Sequence, residues 1–512
     1  MSTAGPLTID LIERGAAVNA DRIAIVYEDQ ELSFAEVNYQ ANQFAHALSF
    51  VGANHGTRVA LLVNNSLFSV PLDFACVKAG VNRVPLNARL SLDEHARMVT
   101  EAECGILIFS EDLAHRAAEL VDKIPTLSAY GLGHTLPDSA DLAALASEQD
   151  GTRPRIDAKP DDIILTLYTS GTTGVLKAAQ HTQASYAAIC RNILLNLFPI
   201  SRDDAMMHAA SLIHASGTFV LPFWLRGGRS IILSGFVPQE FLSAISRYQP
   251  TAINLVPTML HMLLEQPDLE THDVSSIKHI IYGASPMPRS VIERAIEHFG
   301  QDKFWQYFGQ TEAPLCLAVL RPEDHEGDLL GACGRPAVDV EVRLLGETGK
   351  DVPPGEAGEI LVRSPSSAAG YFKAPDLSGE SFDAEGWVHT RDIGLFDSRG
   401  FLFLRDRTSD MIVSGGYNVY PREVEDALME HDAVLEACVV GAPDDRWVEA
   451  VTAFIVLRPD QTVQEDDLVS FVSSKIASYK KPRRIIFTDS IPKTAVGKIN
   501  RKVLREKLRT EP

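Results

Sequence analysis

Residues 165–183 read LTLYTSGTTGVLKAAQHTQ, in which Ser170, Gly171, Thr172, Thr173 and Gly174 follow one another directly after Thr169, and Lys177 comes three positions later. Closely spaced backbone N–H groups and hydroxyls with little side-chain bulk can wrap an anion. A nearby lysine adds a compact positive charge on a flexible stem, suited to phosphate oxygens. The stretch is not a Walker A loop, because no Gly-Lys-Ser/Thr follows at the required spacing. Taken alone, such a composition more often marks a flexible turn, so its meaning depends on the elements around it.

The preceding run, DDIILTLYT, predicts a strand that delivers the loop at its carboxyl end. Along the first half of the chain β-branched runs such as DRIAIVYE and RVALLVNN alternate with the helical patterns SFAEVNYQANQFAHALSFV and LFSVPLDFACVKAG. That alternation predicts a parallel sheet covered by helices. It recurs at RSIILSG, TAINLVP and IKHIIYGAS, where apolar runs end in small residues as buried strands feeding loops do. Ligand sites in such sheets lie at those carboxyl ends. After about Arg407 the texture changes to a compact unit: helix PREVEDALMEH, strands LEACVVGAP and AVTAFIVL, helix EDDLVSFVSSKIASY, strand RRIIFTD and a basic terminal helix. The expected fold class is α/β: a large, multi-layered N-terminal domain with parallel-rich sheets and helices, then a small α+β C-terminal domain.

The 512 residues are 45% hydrophobic and 22% charged, the balance of a globular chain with more than one core. A formal net charge of −21 argues against a nucleic-acid partner or binding to an anionic membrane, since a polyanion would be repelled over most of the surface. Cys76, Cys104, Cys190, Cys316, Cys333 and Cys438 show no CxxC spacing and sit mostly among apolar neighbours, as reduced core thiols of a cytoplasmic protein do. The start, MSTAGPLTIDLIERGAAV, has neither the basic nor the long apolar region of a signal peptide. Residues 205–225 run uncharged for long enough to cross a bilayer. Two histidines, three hydroxyl residues and a proline within them favour a buried layer beside a pocket, and no membrane span is expected.

Four further segments follow the loop in order: YFGQTEA at 307–313, GWVHTRDIG at 386–394, LRDRTSDMIVSGGYNVYPREVE at 404–425 and IPKTAVGKINR at 491–501. With YTSGTTGVLK, this series closely resembles the adenylate-forming superfamily of acyl-CoA synthetases, amino-acid adenylation domains and beetle luciferases, over nearly the whole chain. The resemblance implies an AMP-binding adenylation domain over residues 1–408 and a mobile C-terminal domain over 409–512. It also implies a two-step reaction with ATP, Mg²⁺ and coenzyme A. A carboxylate attacks the α-phosphate of ATP to give acyl-adenylate and pyrophosphate, and a thiol then displaces AMP.

By that resemblance, Thr169, Ser170, Gly171, Thr172, Thr173, Gly174 and Lys177 cradle the β- and γ-phosphates. Glu312 ligates Mg²⁺, which takes one or two carboxylates alongside substrate phosphates, and Thr311 hydrogen-bonds the α-phosphate. Phe308, leading into Gly309 and Gln310, stacks on adenine against the strand end Gly283, Ala284 and Ser285; tyrosine is the usual residue at 308, and phenylalanine keeps the π-face. Asp392 accepts from the ribose hydroxyls, strong charge-assisted contacts, and Arg407 holds the same sugar. Lys498 bridges the carboxylate and the α-phosphate, offsetting their repulsion and stabilising charge at phosphorus. His214 lies beside the substrate carboxylate, and Gly415 and Gly416 let backbone approach the pantetheine chain.

The chain departs from the family pattern at Leu176 for proline, Ala178 for glycine, Gln183 for histidine, Arg391 for the glycine of TGD, Asp406 for the glycine before Arg407, and Ser409 at the hinge. No charged catalytic group is lost, yet the departures keep open a non-turnover adenylate binder. The segment SLIHASGTF lacks the aspartate with which amino-acid adenylation domains pair an α-amino group, which favours a free-standing acid–CoA ligase, a monomer or homodimer. Loading of an acyl carrier protein and luciferase-like oxygenation also stay open. The candidate pocket segments HASGTFVLPF, VPTML, YGASPM and GQTEAPLCLA carry no Arg or Lys. A second carboxylate would be buried there unpaired, so a neutral, bulky apolar or aromatic acid is expected. Whether YKKPRR at 479–484 meets coenzyme A phosphates or is a solvated basic face stays undecided.

Overall fold

The computed structural model describes residues 5–137, 139–170, 176–285, 287–346, 348–407, 410–414, 417–444, 446–494 and 498–510. Two large mixed sheets form the first part of the chain. In the nine-stranded sheet, strands Ile23–Tyr27, Arg229–Ile232, Ala205–His208, Ala252–Leu255, His279–Gly283 and Phe304–Phe308 lie side by side and parallel. The eight-stranded sheet is parallel through strands Ile163–Ser170, Asn82–Pro85, Arg58–Leu62, Ile106–Ser110 and Ser128–Leu132. These are the runs in which apolar residues are nearly continuous, because helices cover both faces.

The covering helices are specified locally. Helix Phe34–Phe50 begins at a capping box in which Ser33 and Glu36 satisfy each other's backbone N–H groups. Helix Gln183–Asn196 begins the same way, with the Thr182 side chain accepting from the Ser185 N–H. Residues 205–225 divide into the strand Ala205–His208, a short 3-10 turn Ala215–Phe219 and a buried helix Val220–Arg226. Among the described residues no helix is long and apolar enough to cross a membrane. All six cysteines are buried with free thiols.

One layer is not anticipated by the parallel pattern. Strands Glu341–Leu345, Gly358–Arg363, Val388–Phe396 and Leu402–Arg407 form a four-stranded antiparallel sheet. Strands Glu341–Leu345 and Val388–Phe396 mix buried with partly exposed positions and are interrupted by charged residues, so they lack the apolar runs by which the buried strands are recognised. Sheet membership changes just beyond it. Leu402–Arg407 closes this layer, whereas Ile412–Ser414 joins a five-stranded sheet with Tyr417–Val419, Val434–Asp444, Val448–Leu457 and Arg484–Phe487. Helices Pro421–Met429 and Glu465–Lys475 pack on that sheet around Val424, Leu428, Leu468 and Val472.

Candidate active site

The hairpin from Ile163–Ser170 into Leu176–Thr182 sets Thr169 opposite Lys177 and Ser170 opposite Leu176 in antiparallel register. Gly171, Thr172, Thr173 and Gly174 lie outside the described residues. The ammonium of Lys177 stands 5.2 Å from the centroid of the Tyr371 ring, within cation–π range. The Tyr371 hydroxyl donates to Glu312 Oε1 at 2.6 Å. Tyr371 is held there because Gly370–Tyr371 adds to the edge of strand Leu176–Thr182, pairing with Ala179. Lys177 and Glu312, far apart in sequence, are thus linked through one aromatic ring.

Segment 309–313 is pinned on three sides. The Ala368 N–H donates to the Glu312 carbonyl at 2.8 Å, and Gln310 and Ala313 exchange backbone bonds. His181 Nε2 lies 2.8 Å from the Thr311 carbonyl. A carbonyl only accepts, so this imidazole carries its proton on Nε2, and burial lowers its pKa to about 4 and keeps it neutral. At the strand ends, backbone approaches closely. A Cβ on Gly283 would meet the Tyr307 carbonyl oxygen at 2.4 Å, and one on Gly309 would meet the Leu315 carbonyl oxygen at 2.3 Å. Ala284 sits at φ +67°, turning the chain sharply before Ser285. Phe308 is buried within the core that includes Ile281 and Leu317.

The ribose candidates share a position: Asp392 and Arg407 are register partners in adjacent antiparallel strands. Asp392 is buried, and its N–H donates to Thr390 Oγ1 at 3.1 Å. At the acid end, His214 Nε2 is 3.0 Å from Asn87 Nδ2. Because Asn87 Oδ1 accepts from the Arg89 N–H, the amide presents its NH₂ to the ring, and the imidazole proton belongs on Nδ1. Burial, then the charges of Lys498 and Arg89, lower the pKa of His214 to about 4. The charge of Lys498 therefore reaches the large unit's site. The Thr494 N–H donates to the Lys498 carbonyl at 2.6 Å and the Lys498 N–H to Thr494 Oγ1 at 3.2 Å.

Gly415 and Gly416 lie outside the described residues, between the paired Ser414 and Tyr417. The basic segment 479–484 is partly occupied: Lys480 bonds both Glu423 carboxylate oxygens at 2.6 and 2.7 Å, and the Arg483 guanidinium stacks on Trp447 at 4.2 Å. His181, Tyr371 and Asn87 are absent from the sequence-based candidates. Their contacts join segments far apart in the chain, and only AAGYFKAPD, with its small residues and proline, offered a local hint.

The donor set fits magnesium and a nucleotide. Among the described residues no group of three or more His, Cys, Asp or Glu side chains is placed to hold a metal; Glu312 with phosphate oxygens and waters is a donor set that would suit magnesium. Gln310 Nε2 is a buried donor without a partner, aimed from the segment where a nucleotide would supply an acceptor.

The chain belongs to the AMP-binding enzyme family, whose pattern matches residues 12–372, and the pattern of the AMP-binding enzyme C-terminal domain matches residues 423–498. It is similar to the medium/long-chain-fatty-acid–CoA ligase FadD8 of Mycobacterium tuberculosis, 37% identical over 93% of this chain and 86% of that protein. It is also similar to a feruloyl-CoA synthase of an Amycolatopsis species, 33% identical over 95% and 96% of the two chains. Among solved structures, the amide bond synthetase McbA from Marinactinospora thermotolerans superposes with a TM-score of 0.91 at 30% identity, covering 98% of this chain and all of that one.

Proposed function

We propose that this adenylate-forming acid–CoA ligase activates a neutral, bulky apolar or aromatic carboxylic acid. ATP and the acid give acyl-adenylate and pyrophosphate, and coenzyme A displaces AMP to give the thioester. Two links between distant segments carry the reading: Lys177 and Glu312 meet on Tyr371, and the charge of Lys498 acts on His214. The named substrates of the two relatives, fatty acids and ferulate, are likewise monocarboxylates with extended bodies.

In this reading Lys177 and the loop after Thr169 bind the leaving phosphates. Glu312, oriented by the Tyr371 hydroxyl, holds Mg²⁺, which when bound offsets phosphate charge. Phe308 and the 283–285 strand end bound the adenine, and Asp392 and Arg407 take the ribose. Neutral His214, fixed by Asn87, packs beside the acid's carboxylate without a competing charge. Lys498 brings the two anions together and stabilises the charge that builds at phosphorus. Residues 1–408 act as the adenylation domain and 409–512 as the moving domain, which must withdraw Lys498 and bring in Gly415 and Gly416 for the thiol step. Unpaired buried cysteines suit a reducing cytoplasm.

ATP–pyrophosphate exchange over a panel of carboxylates tests the first step, and supplying free coenzyme A or a phosphopantetheinyl carrier protein to the best acid identifies the acceptor. Higher kcat/KM for malonate or acetate than for larger apolar acids refutes the assigned acid class. Exchange without thioester on coenzyme A refutes the assigned acceptor.

A further inference from the structure

His208 closes the strand Ala205–His208, at the carboxyl edge where ligand sites of such sheets lie. It is fully buried. Met206 faces the core that contains Phe219, Phe223 and Tyr307, so His208, two residues on, faces the same way. On the next strand Met206 pairs with Ala252 and Met207 with Ile253, which brings Asn254 beside His208 on that face. Asn254 Nδ2 donates to the Ile281 carbonyl at 3.2 Å. A short polar strip therefore crosses an otherwise apolar floor.

His208 Nδ1 lies 2.9 Å from Ser216 Oγ. Ser216 stands two residues after His214, on the 3-10 turn Ala215–Phe219 that His214 precedes, so this pair lies on the same short segment as the residue proposed to meet the acid's carboxylate. Nε2 of His208 has no partner. A buried imidazole nitrogen left unpaired is unfavourable, a deficit that a ligand atom can remove. Burial also keeps this ring neutral, with its pKa lowered to about 3. We propose that His208, set by Ser216, is the distal polar subsite of the acyl pocket and selects acids bearing a neutral oxygen, a ring carbonyl or hydroxyl, at the end away from the carboxylate.

When Ser216 donates to Nδ1, Nε2–H donates to a carbonyl; in the other tautomer Nε2 accepts from a hydroxyl. A second carboxylate finds no positive charge there. The proposal rests on the acid–CoA ligase reading and narrows its substrate. Its test compares kcat/KM for pyrophosphate exchange within two matched pairs, 3-cyclohexylpropanoate with 3-(4-oxocyclohexyl)propanoate and cinnamate with 4-hydroxycinnamate. The oxygenated member of at least one pair is expected to be favoured on the order of tenfold, chiefly through KM. His208→Leu reverses that preference, Ser216→Ala weakens it, and His208→Gln, which retains a polar atom, preserves it in part. Equal or better use of the unoxygenated member in both pairs, or a preference that survives His208→Leu, overturns the proposal. Absence of exchange with every acid instead overturns the ligase reading beneath it.

Discussion

Lys498 and His214 divide the charge at the acid end. The imidazole is neutral because burial and the charges of Lys498 and Arg89 oppose its protonation, and in the proposed roles the ammonium is then the positive group that meets the two anions. Adenylation is the step in which charge accumulates at phosphorus; thiol attack on the acyl-adenylate does not need that lysine. Lys498→Ala is therefore expected to lower pyrophosphate exchange by on the order of a hundredfold to a thousandfold, while conversion of supplied acyl-adenylate to thioester is largely spared. Measuring both half-reactions checks the assignment, and equal losses would contradict it. Lys498, Glu312 and Lys177 could be named as candidates from the sequence because each sits in a contiguous motif. The Tyr371 bond to Glu312 and the His181 bond to Thr311 were not, since each joins segments more than fifty residues apart.

Strand Val388–Phe396 explains one departure from the family pattern. Arg391 stands where glycine is usual, and its φ is +61°, in the left-handed region that glycine adopts without steric cost. The arginine is tolerated because its N–H donates to Glu359 Oε1 at 3.2 Å and its guanidinium to the Glu380 carbonyl at 2.8 Å. Arg391→Val adds a β-branch at that φ and removes the guanidinium contact, so it should destabilise by about 2 kcal/mol or more. Arg391→Gly exchanges relief of strain for lost contacts and a more flexible unfolded chain, and should fall within about 1 kcal/mol of the parent. Urea titrations of the three chains decide this, and a valine variant as stable as the parent would refute the strain argument.

Asp406, the other departure beside the junction, is buried, and its Oδ2 accepts the Arg422 N–H at 3.0 Å in the first turn of helix Pro421–Met429. A carboxylate at a helix N-terminus is favourable, so this contact ties the small unit to the large one in the arrangement in which the charge of Lys498 acts on His214. Asp406→Ala should slow adenylation by about fivefold, the equivalent of a lost cap of about 1 kcal/mol, and leave thioester formation from supplied acyl-adenylate less affected. A larger loss in the second step would show that the contact serves the other arrangement. The molecule as a whole should also be acid-sensitive. His181, His214, His279 and His325 each have a folded pKa of about 4 against an ordinary 6.5, chiefly through burial. Between those values the unfolded chain binds protons that the folded chain does not. The stability these four histidines contribute is full above pH 6.5, falls as pH drops through the window and is gone by about pH 4. Urea midpoints at pH 7, 5.5 and 4.5 should decline in that order, and a constant midpoint would refute it.

By itself the sequence determined the alternating strands and helices, the division in texture near Arg407 and the order of the anion-binding, carboxylate and lysine motifs, because each rests on neighbouring residues and short-range periodicity. Only the tertiary structure decided the half-exposed antiparallel layer over 341–407, whose pattern is too weak to read locally. It also decided which distant side chains orient the motif residues: Tyr371 on Glu312, His181 on Thr311, Asn87 on His214. The orphan nitrogen of His208 belongs with these, since whether a buried polar atom is satisfied depends on every element packed around it.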